Sequence, residues 1–131
     1  MRDNMEKMMT SLLRRFADAW NNHDIDTLMA LMTEDCIFES SFGDEVCGRR
    51  YEGREAVRDG FLQSWMHYPD AQWNDPNHFV HGDRGVSEWT FTGTDKNGMR
   101  SEVAGCDLVT FRDGKIAVKN SFRKNRPLLR T

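Results

Sequence analysis

The stretch from residue 101 to residue 123 constrains the fold most, because it predicts a β-hairpin built from two long strands. Residues 101–111 alternate in side-chain character, and residues 116–123 alternate again after the pair Asp113-Gly114. Asp-Gly pairs favour the positive φ angles of a two-residue hairpin turn, and a period of two is typical of strands. Asp107 shares its predicted face with residues that favour burial: Val103, Gly105, Val109 and Phe111.

Asp107 is therefore the first candidate for chemistry in this chain. A charge that is buried without a partner costs free energy, so this carboxylate must be paired, hydrogen-bonded, protonated or exposed to a wet cavity. Two interpretations follow. Asp107 is either a structural residue paired with a neighbouring Arg or Lys, or a functional acid or base, because structural ion pairs perturb pKa values as catalytic sites do.

Length and charge limit the classes of protein that fit. A chain of 131 residues predicts one domain spanning residues 1–131, large enough to bury a stable hydrophobic core without disulfides or a bound metal. The net charge of -3 leaves no broad basic field for nucleic acid or an anionic membrane, and no apolar run approaches membrane-spanning length. We therefore expect neither a nucleic-acid nor a membrane partner.

The cysteines indicate the compartment. Cys36, Cys47 and Cys106 are odd in number and form no CxxC pair, which argues against a disulfide framework and against a zinc site. We expect no metal, and a reducing, cytoplasmic location.

The order of predicted elements defines the fold class. Apolar residues recur at helical spacing over residues 5–20, 25–32 and 54–65, and Asp24 is placed to cap the second helix. Strands are predicted near residues 36–41, 72–81 and 86–92, and Asp75-Pro76 restricts the second of these to an edge or a bulge. Helices followed by antiparallel strands predict an α+β protein with helices across one face of a curved sheet.

Several motifs in this order resemble the nuclear transport factor 2-like (NTF2-like) superfamily, and within it the branch of SnoaL-like polyketide cyclases and ketosteroid isomerases. They are Phe16-Ala-Asp-Ala-Trp-Asn-Asn-His-Asp24, Leu28-Met-Ala-Leu-Met-Thr-Glu-Asp-Cys-Ile-Phe-Glu39, Tyr51-Glu-Gly-Arg-Glu-Ala56, Trp89-Thr-Phe-Thr-Gly-Thr94 and Gly105-Cys-Asp-Leu-Val-Thr-Phe-Arg-Asp-Gly-Lys-Ile116. The resemblance implies a cone-shaped, cystatin-like α+β fold whose curved antiparallel or mixed sheet encloses a pocket. It also implies a small-molecule ligand or substrate, no cofactor, and a homodimer formed through the outer face of the sheet.

The resemblance also assigns positions in the pocket. In ketosteroid isomerases a Tyr and a protonated Asp form the oxyanion hole, and a second Asp on the first strand moves the proton. Asp107 falls at the oxyanion-hole Asp, whereas Phe16 replaces the Tyr and Ser40 the base. Phe cannot donate a hydrogen bond and Ser is a poor base at neutral pH, so steroid isomerisation is disfavoured. Phe16 and Ser40 are then expected only to line the pocket.

In SnoaL-like cyclases an acidic residue on the inner sheet acts as general acid and base, and Asp107 could take that role. On the predicted strand 86–92, Glu88 lies on the face opposite to Ser87, Trp89 and Phe91. On the last strand, Lys119 and Arg123 share one face. If these faces lie on the concave side of the sheet, the pocket holds two carboxylates, Asp107 and Glu88, and two cations, Lys119 and Arg123. Such a pocket could fix an anionic or enolisable carbonyl substrate. A one-residue bulge in either strand would turn these side chains to the opposite face of the sheet.

Two further residues complete the candidate set. His78 could line the pocket mouth as a proton shuttle, or be an ordinary surface histidine. Trp65 supplies a large apolar area that suits either substrate stacking or packing of the core or a dimer interface.

These residues predict a cofactor-independent enzyme of the cyclase, isomerase or lyase type, acting by acid/base catalysis on a small, largely apolar carbonyl-bearing molecule. One alternative is a non-catalytic small-ligand-binding or dimeric assembly module of the same fold. A further alternative is epoxide hydration, with a water held by Glu88, Asp107 and Arg123.

Overall fold

A computed structural model describes residues 2–130 of the chain. The helices in this range are α1 (Arg2–Asn21), α2 (Ile25–Ala30) and α3 (Arg54–His67). The strands are β1 (Met32–Glu39), β2 (Arg50–Glu52), β3 (Gln72–His81), β4 (Arg84–Thr94), β5 (Met99–Arg112), β6 (Lys115–Arg123) and β7 (Leu129–Arg130). None of these helices is both long and apolar enough to cross a membrane. The predicted α+β class is confirmed.

Helix α1 forms because its apolar residues recur every three or four positions along one face. The residues of that face are buried: Met9, Leu12, Leu13, Phe16 and Trp20. The helix ends at Asn21, and His23 follows in the left-handed conformation with φ 54°. Asp24 then accepts a hydrogen bond from the backbone N–H of Thr27 at 3.2 Å, which confirms it as the N-cap of α2.

The junction between α2 and β1 differs from the prediction. Met32 was predicted to continue the second helix, but α2 ends at Ala30 and β1 begins at Met32. The reason is tertiary pairing: Met32 pairs in parallel with Ile116 of β6, and the backbone N–H of Ile116 donates to the carbonyl of Leu31 at 2.9 Å. Met32 is completely buried there, so strand pairing overrides the local helical spacing.

The strands form one curved, mixed sheet in the order β2-β1-β6-β5-β4-β3, with β7 added on β5. β1 and β6 are parallel, and the other pairs are antiparallel. β3 lies at an edge and carries the predicted irregularity, because its register shifts between Asn74 and Asn77 and Asp75 has φ 54°. This bulge allows Trp73 and His78 to face the same side of the sheet despite their odd separation.

The predicted hairpin is present as β5 and β6. Asp113 and Gly114 have φ angles of 54° and 73°, as a two-residue turn of the primed type requires. Asp107 pairs with Ser121 across the hairpin, and both residues are buried on the concave face.

Aromatic rings fill the space between the helices and the concave face. The ring centroid of Trp20 in α1 lies 4.7 Å from that of Phe61 in α3 and 4.9 Å from that of Trp73 in β3. Phe61 lies 4.9 Å from Phe38 of β1. These rings form the apolar surroundings of the polar side chains on β5 and β6.

Candidate functional site

Asp107 lies in the interior and accepts three hydrogen bonds. Its Oδ1 receives the hydroxyl of Ser121 at 2.6 Å and the ammonium of Lys119 at 3.1 Å, and its Oδ2 receives the indole N–H of Trp89 at 3.1 Å. Only 7% of the residue is exposed. Donors of this kind stabilise the ionised carboxylate, so the burial of Asp107 is compensated.

Gly105 makes room for the indole of Trp89. The two residues pair across β4 and β5, and a Cβ on Gly105 would lie 2.5 Å from the Trp89 ring. Because glycine has no side chain, the indole can lie against β5 and reach Asp107 two residues further along.

Lys119 is the buried cation of this group. Its Nζ also donates to Ser121 Oγ at 2.7 Å and lies 4.8 Å and 5.0 Å from the ring centroids of Phe38 and Trp20. Burial lowers the pKa of Lys119 below its ordinary value, and the charge of Asp107 opposes that shift. The pair is thus a desolvated ion pair within an aromatic cluster.

A small cavity of about 20 Å³ adjoins this pair. Its lining is mostly apolar: Leu13, Phe16, Ala17, Trp20, Trp73, Pro76 and Trp89, with Ser87, Asp107 and Lys119. Such a volume accommodates about one water molecule. In this conformation the carboxylate of Asp107 is therefore within reach of a water, but not of an organic substrate.

A second, much larger cavity of about 830 Å³ lies between α3, the ends of β1 and β6, and the start of β5. It shares no lining residue with the small cavity. Phe38, Tyr51, Tyr68 and Val103 contribute apolar surface, and Arg123 contributes a cation. Its volume is in the range of small-molecule binding sites.

The guanidinium of Arg123 lies against aromatic faces at this cavity. Its Cζ is 3.9 Å from the ring centroid of Phe91 and 6.0 Å from that of Trp89. Its Nε is buried and has no hydrogen-bond partner among the described residues. Burial lowers the pKa of Arg123, and the negative charge of Asp107 opposes the shift. A buried donor without a partner is a natural anchor for a ligand oxygen.

Residues 13–119 match the family model of the SnoaL-like domain. This chain belongs to the SnoaL-like family. The match includes the second half of α1, which lines the small cavity from Leu13 onward, and all of β5, which carries Asp107. No protein with a curated description matches the sequence significantly.

Solved structures similar to this SnoaL-like protein share its fold. A proposed polyketide cyclase from Xanthomonas campestris pv. campestris is 22% identical with a TM-score of 0.82, covering 92% of this chain and 93% of that one. An NTF2-like protein of unknown function from Mesorhizobium loti is 28% identical with a TM-score of 0.73, covering 92% and 93%. A protein of unknown function with a cystatin-like fold from Xanthomonas campestris is 19% identical with a TM-score of 0.78, covering 88% and 90%. The NTF2-like, cystatin-like fold predicted from the sequence is confirmed.

The structure does not bring Glu88 to Asp107. Glu88 is exposed on the outer face of β4, where it pairs with Cys106, whereas Ser87 and Trp89 face inward. The conditional prediction of two carboxylates in one pocket is therefore wrong, because β4 turns its other alternation set to the concave face. The geometry for epoxide hydration, which needs a second carboxylate, is absent from the described residues.

The remaining pocket residues divide between the two cavities. Lys119 and Phe16 line the small cavity, as Asp107 does, whereas Arg123 and Ser40 line the large one. The hydroxyl of Ser40 donates to the carbonyl of Phe42 at 2.8 Å. The sequence therefore identified residues of both cavities but not their separation.

Trp65 lies outside both linings. Its ring stacks on His23 with centroids 4.9 Å apart and contacts Trp20 at 5.3 Å. In this conformation its contacts are those of a packing residue, so its predicted role in substrate binding lacks support from the geometry.

His78 is linked to the site through Ser87. Its Nδ1 lies 2.8 Å from Ser87 Oγ, and Ser87 lines the small cavity together with Asp107. Burial lowers the pKa of His78, as does the charge of Arg14, while Asp107 and Asp18 raise it. His78, Ser87, Asp107 and Ser121 are successive cross-strand partners, so they form one polar row across β3, β4, β5 and β6.

Sequence reasoning missed three neighbours of Asp107. Trp89, Ser87 and Ser121 were not among the predicted site residues. The available signal was alternation: once β4 faces inward through Ser87 and Trp89, their proximity to Asp107 follows.

No metal-binding group of three His, Cys, Asp or Glu side chains is present in residues 2–130.

Proposed function

We propose that this SnoaL-like protein binds a small, largely apolar, carbonyl-bearing molecule in the 830 Å³ cavity, with Arg123 as its polar anchor. One observation carries the proposal: half-buried Arg123 lines the cavity, and its buried Nε has no partner among the described residues. The Nε is inaccessible in this conformation, so a small rotation of the guanidinium toward the cavity would let a carbonyl oxygen pair with it and remove the free-energy penalty of the unpaired donor. The apolar lining would hold the body of the molecule.

The larger cavity supports this role better than the surroundings of Asp107 do. Both carboxylate oxygens of Asp107 accept hydrogen bonds from the protein, and the void beside them has about 20 Å³. Arg123, in contrast, lies beside space for a ligand and has a donor that none of the described residues pairs with.

The test uses 2-acetylnaphthalene as a probe and maps amide chemical shifts by NMR. We expect shifts at Val103, Tyr51 and Arg123, and smaller ones around Phe16. Ser64→Trp should obstruct the large cavity, which Ser64 lines, and abolish the shifts. Ser11→Trp, on the exposed face of α1, is the matched control and should keep them. Shifts confined to the surroundings of Phe16 would refute the assignment of the large cavity.

A second candidate function is supported by the polar row. A buried Asp107–Lys119 pair costs several kcal/mol of desolvation, and an apolar pair of similar volume would satisfy folding. The row places half-buried His78 beside Ser87, the cross-strand partner of Asp107, and an imidazole can accept and donate a proton. We therefore retain acid/base catalysis of the cyclase, isomerase or lyase type, with Asp107 as the acid/base, as a proposal.

For this chemistry the substrate must reach Asp107. Trp89 lines the small cavity and Arg123 the large one, and the Arg123 guanidinium lies 6.0 Å from the Trp89 ring. Movement of these two side chains would join the cavities. The test follows deuterium incorporation into the acetyl group of 2-acetylnaphthalene by NMR. Asp107→Asn should abolish any acceleration, and equal rates with the wild-type protein would exclude Asp107 as the base.

We further propose one domain, a homodimer and a cytoplasmic location. Support for the homodimer comes from Phe79 and Phe122, which are 54% and 48% exposed on the outer face of the sheet. Exposed aromatic rings on one sheet face are typical of protein interfaces.

A further inference from the structure

We infer that the ligand of the large cavity is an organic dianion, with one acidic oxygen group at Arg123 and a second at the cavity mouth. This inference rests on the proposed function, since it names the class of ligand for the same cavity. It goes beyond a carbonyl-bearing molecule because it requires two charged groups separated by an apolar body.

The charge of the cavity is opposite to that of the chain. The chain carries a net charge of -3. Its large cavity, however, is lined by more cations than anions, with Asp95 as the carboxylate and Arg49, Lys96, Arg123, Lys124 and Arg126 as the cations. Asp95 is engaged locally, because its Oδ1 accepts the backbone N–H groups of Asn97 at 2.9 Å and Met99 at 3.0 Å. The field inside the cavity therefore favours anions.

Arg123 provides the buried end of the site. The carboxylate with the greatest effect on it, Asp107, already accepts hydrogen bonds from Lys119, Ser121 and Trp89. The guanidinium instead contacts the faces of Phe91 and Trp89, and its Nε has no hydrogen-bond partner in residues 2–130. A desolvated guanidinium binds a carboxylate or phosphate oxygen more strongly than a neutral carbonyl.

The mouth provides the second end. Arg49, Lys96, Lys124 and Arg126 are all exposed, and within residues 2–130 none of them forms an ion pair. Arg126 donates to the backbone carbonyl of Glu102 at 2.7 Å, and Arg49 lies 5.0 Å from the Tyr51 ring centroid. These cations can attract a second acidic group, and salt should screen that attraction because they are exposed.

Three naphthalene probes separate these contributions: methyl 2-naphthoate, 2-naphthoate and naphthalene-2,6-dicarboxylate. They share the ring system and carry none, one and two negative charges at neutral pH. Isothermal titration calorimetry with the full chain should give the tightest Kd for the dicarboxylate and the weakest for the ester. Raising the salt from about 0.02 M to about 0.2 M should weaken the dicarboxylate most.

Variants assign the two ends. Arg123→Met should weaken both anions at least about ten-fold and the ester by a clearly smaller factor, since Met keeps the apolar stem and the ester loses only a hydrogen bond to a neutral carbonyl. Arg123→Lys should retain part of the anion affinity. The double variant Lys124→Gln/Arg126→Gln should weaken the dicarboxylate selectively. Arg84→Gln removes an exposed cation outside both cavities and should leave every Kd unchanged.

The outcomes distinguish this inference from the proposed function. If the ester binds as tightly as both anions, or if Arg123→Met leaves the anions unaffected, the dianion assignment is wrong while a ligand-binding cavity stands. If the naphthoate binds but the dicarboxylate gains nothing from its second charge, the two-ended site is wrong. If none of the probes binds, both proposals fail for this ring size.

Discussion

The indole of Trp89 lies over Gly105 on the neighbouring strand, so closely that a Cβ at Gly105 would be 2.5 Å from the ring. The same added atom would lie 2.5 Å from the carbonyl oxygen of Phe122. This packing directs the indole N–H toward Asp107, to which it donates at 3.1 Å. The absence of one side chain thus determines the partner of a buried carboxylate.

Gly105→Ala should displace the Trp89 ring and lower the free energy of unfolding by about 1–3 kcal/mol, because extra atoms in a packed interior force neighbours to move. Urea denaturation measures the loss, and the indole N–H resonance of Trp89 should shift. The double variant with Trp89→Phe should lose less than the sum of the single variants, since a smaller ring relieves part of the clash. An unchanged indole resonance in Gly105→Ala would contradict this packing.

Lys119→Met should destabilise the protein by about 3–5 kcal/mol, because Asp107 would remain buried without its cation. Adding Asp107→Leu should restore part of the stability, since it removes the unpaired charge but leaves the Trp89 indole N–H and the Ser121 hydroxyl without their acceptor. Urea denaturation of the wild type, both single variants and the double variant gives the coupling free energy. Strictly additive losses would show that the two side chains do not interact.

Local patterns predicted those features of the site that depend on local geometry. The Asp113-Gly114 turn predicts the hairpin itself, but a register shift between Thr110 and Phe111 is what brings Lys119 to the face of Asp107. Alternation likewise placed Arg123 on the face of Lys119. The shared face of Lys119 and Arg123 follows from strand geometry alone, whereas the bulge that turns this face toward Asp107 does not.

Features that depend on distant contacts could not be predicted. Alternation shows that Glu88 and Ser87 lie on opposite faces of β4, but it does not show which of the two faces the helices cover. The division into two cavities depends on rings that are far apart in sequence, such as Trp20, Phe38 and Phe61. β2 and β7, with three and two residues, are too short to show a strand pattern, and pairing with β1 and β5 creates them.

The histidine of the polar row should make stability depend on pH. Burial holds the pKa of His78 below its ordinary value of 6.5, so the unfolded chain binds more protons than the native protein as the pH falls through 6.5. The free energy of unfolding should therefore fall with pH from 6.5 down to the native pKa and lose nothing further from this group below it.

Urea denaturation at a series of pH values checks this dependence. His78→Gln keeps a polar partner for Ser87 and should flatten the profile over the same window. His67→Gln, which replaces an exposed histidine at the end of α3, is the matched control and should leave it unchanged. A native His78 resonance titrating above 6.5 would reverse the sign of the effect and contradict the burial argument.

The outer face of the sheet should mediate the proposed homodimer. Phe122 on β6 and Phe79 on β3 expose about half of their surface there, and a charge introduced into an apolar interface is desolvated at high cost. Phe122→Glu should therefore shift the protein toward the monomer, as measured by analytical ultracentrifugation over a range of concentrations. Val46→Glu is the control, because it also introduces a charge at an exposed apolar residue but lies on the loop between β1 and β2, away from this face. A wild-type protein that sediments as a monomer at all concentrations would refute the homodimer, and a dimer unaffected by Phe122→Glu would place its interface elsewhere.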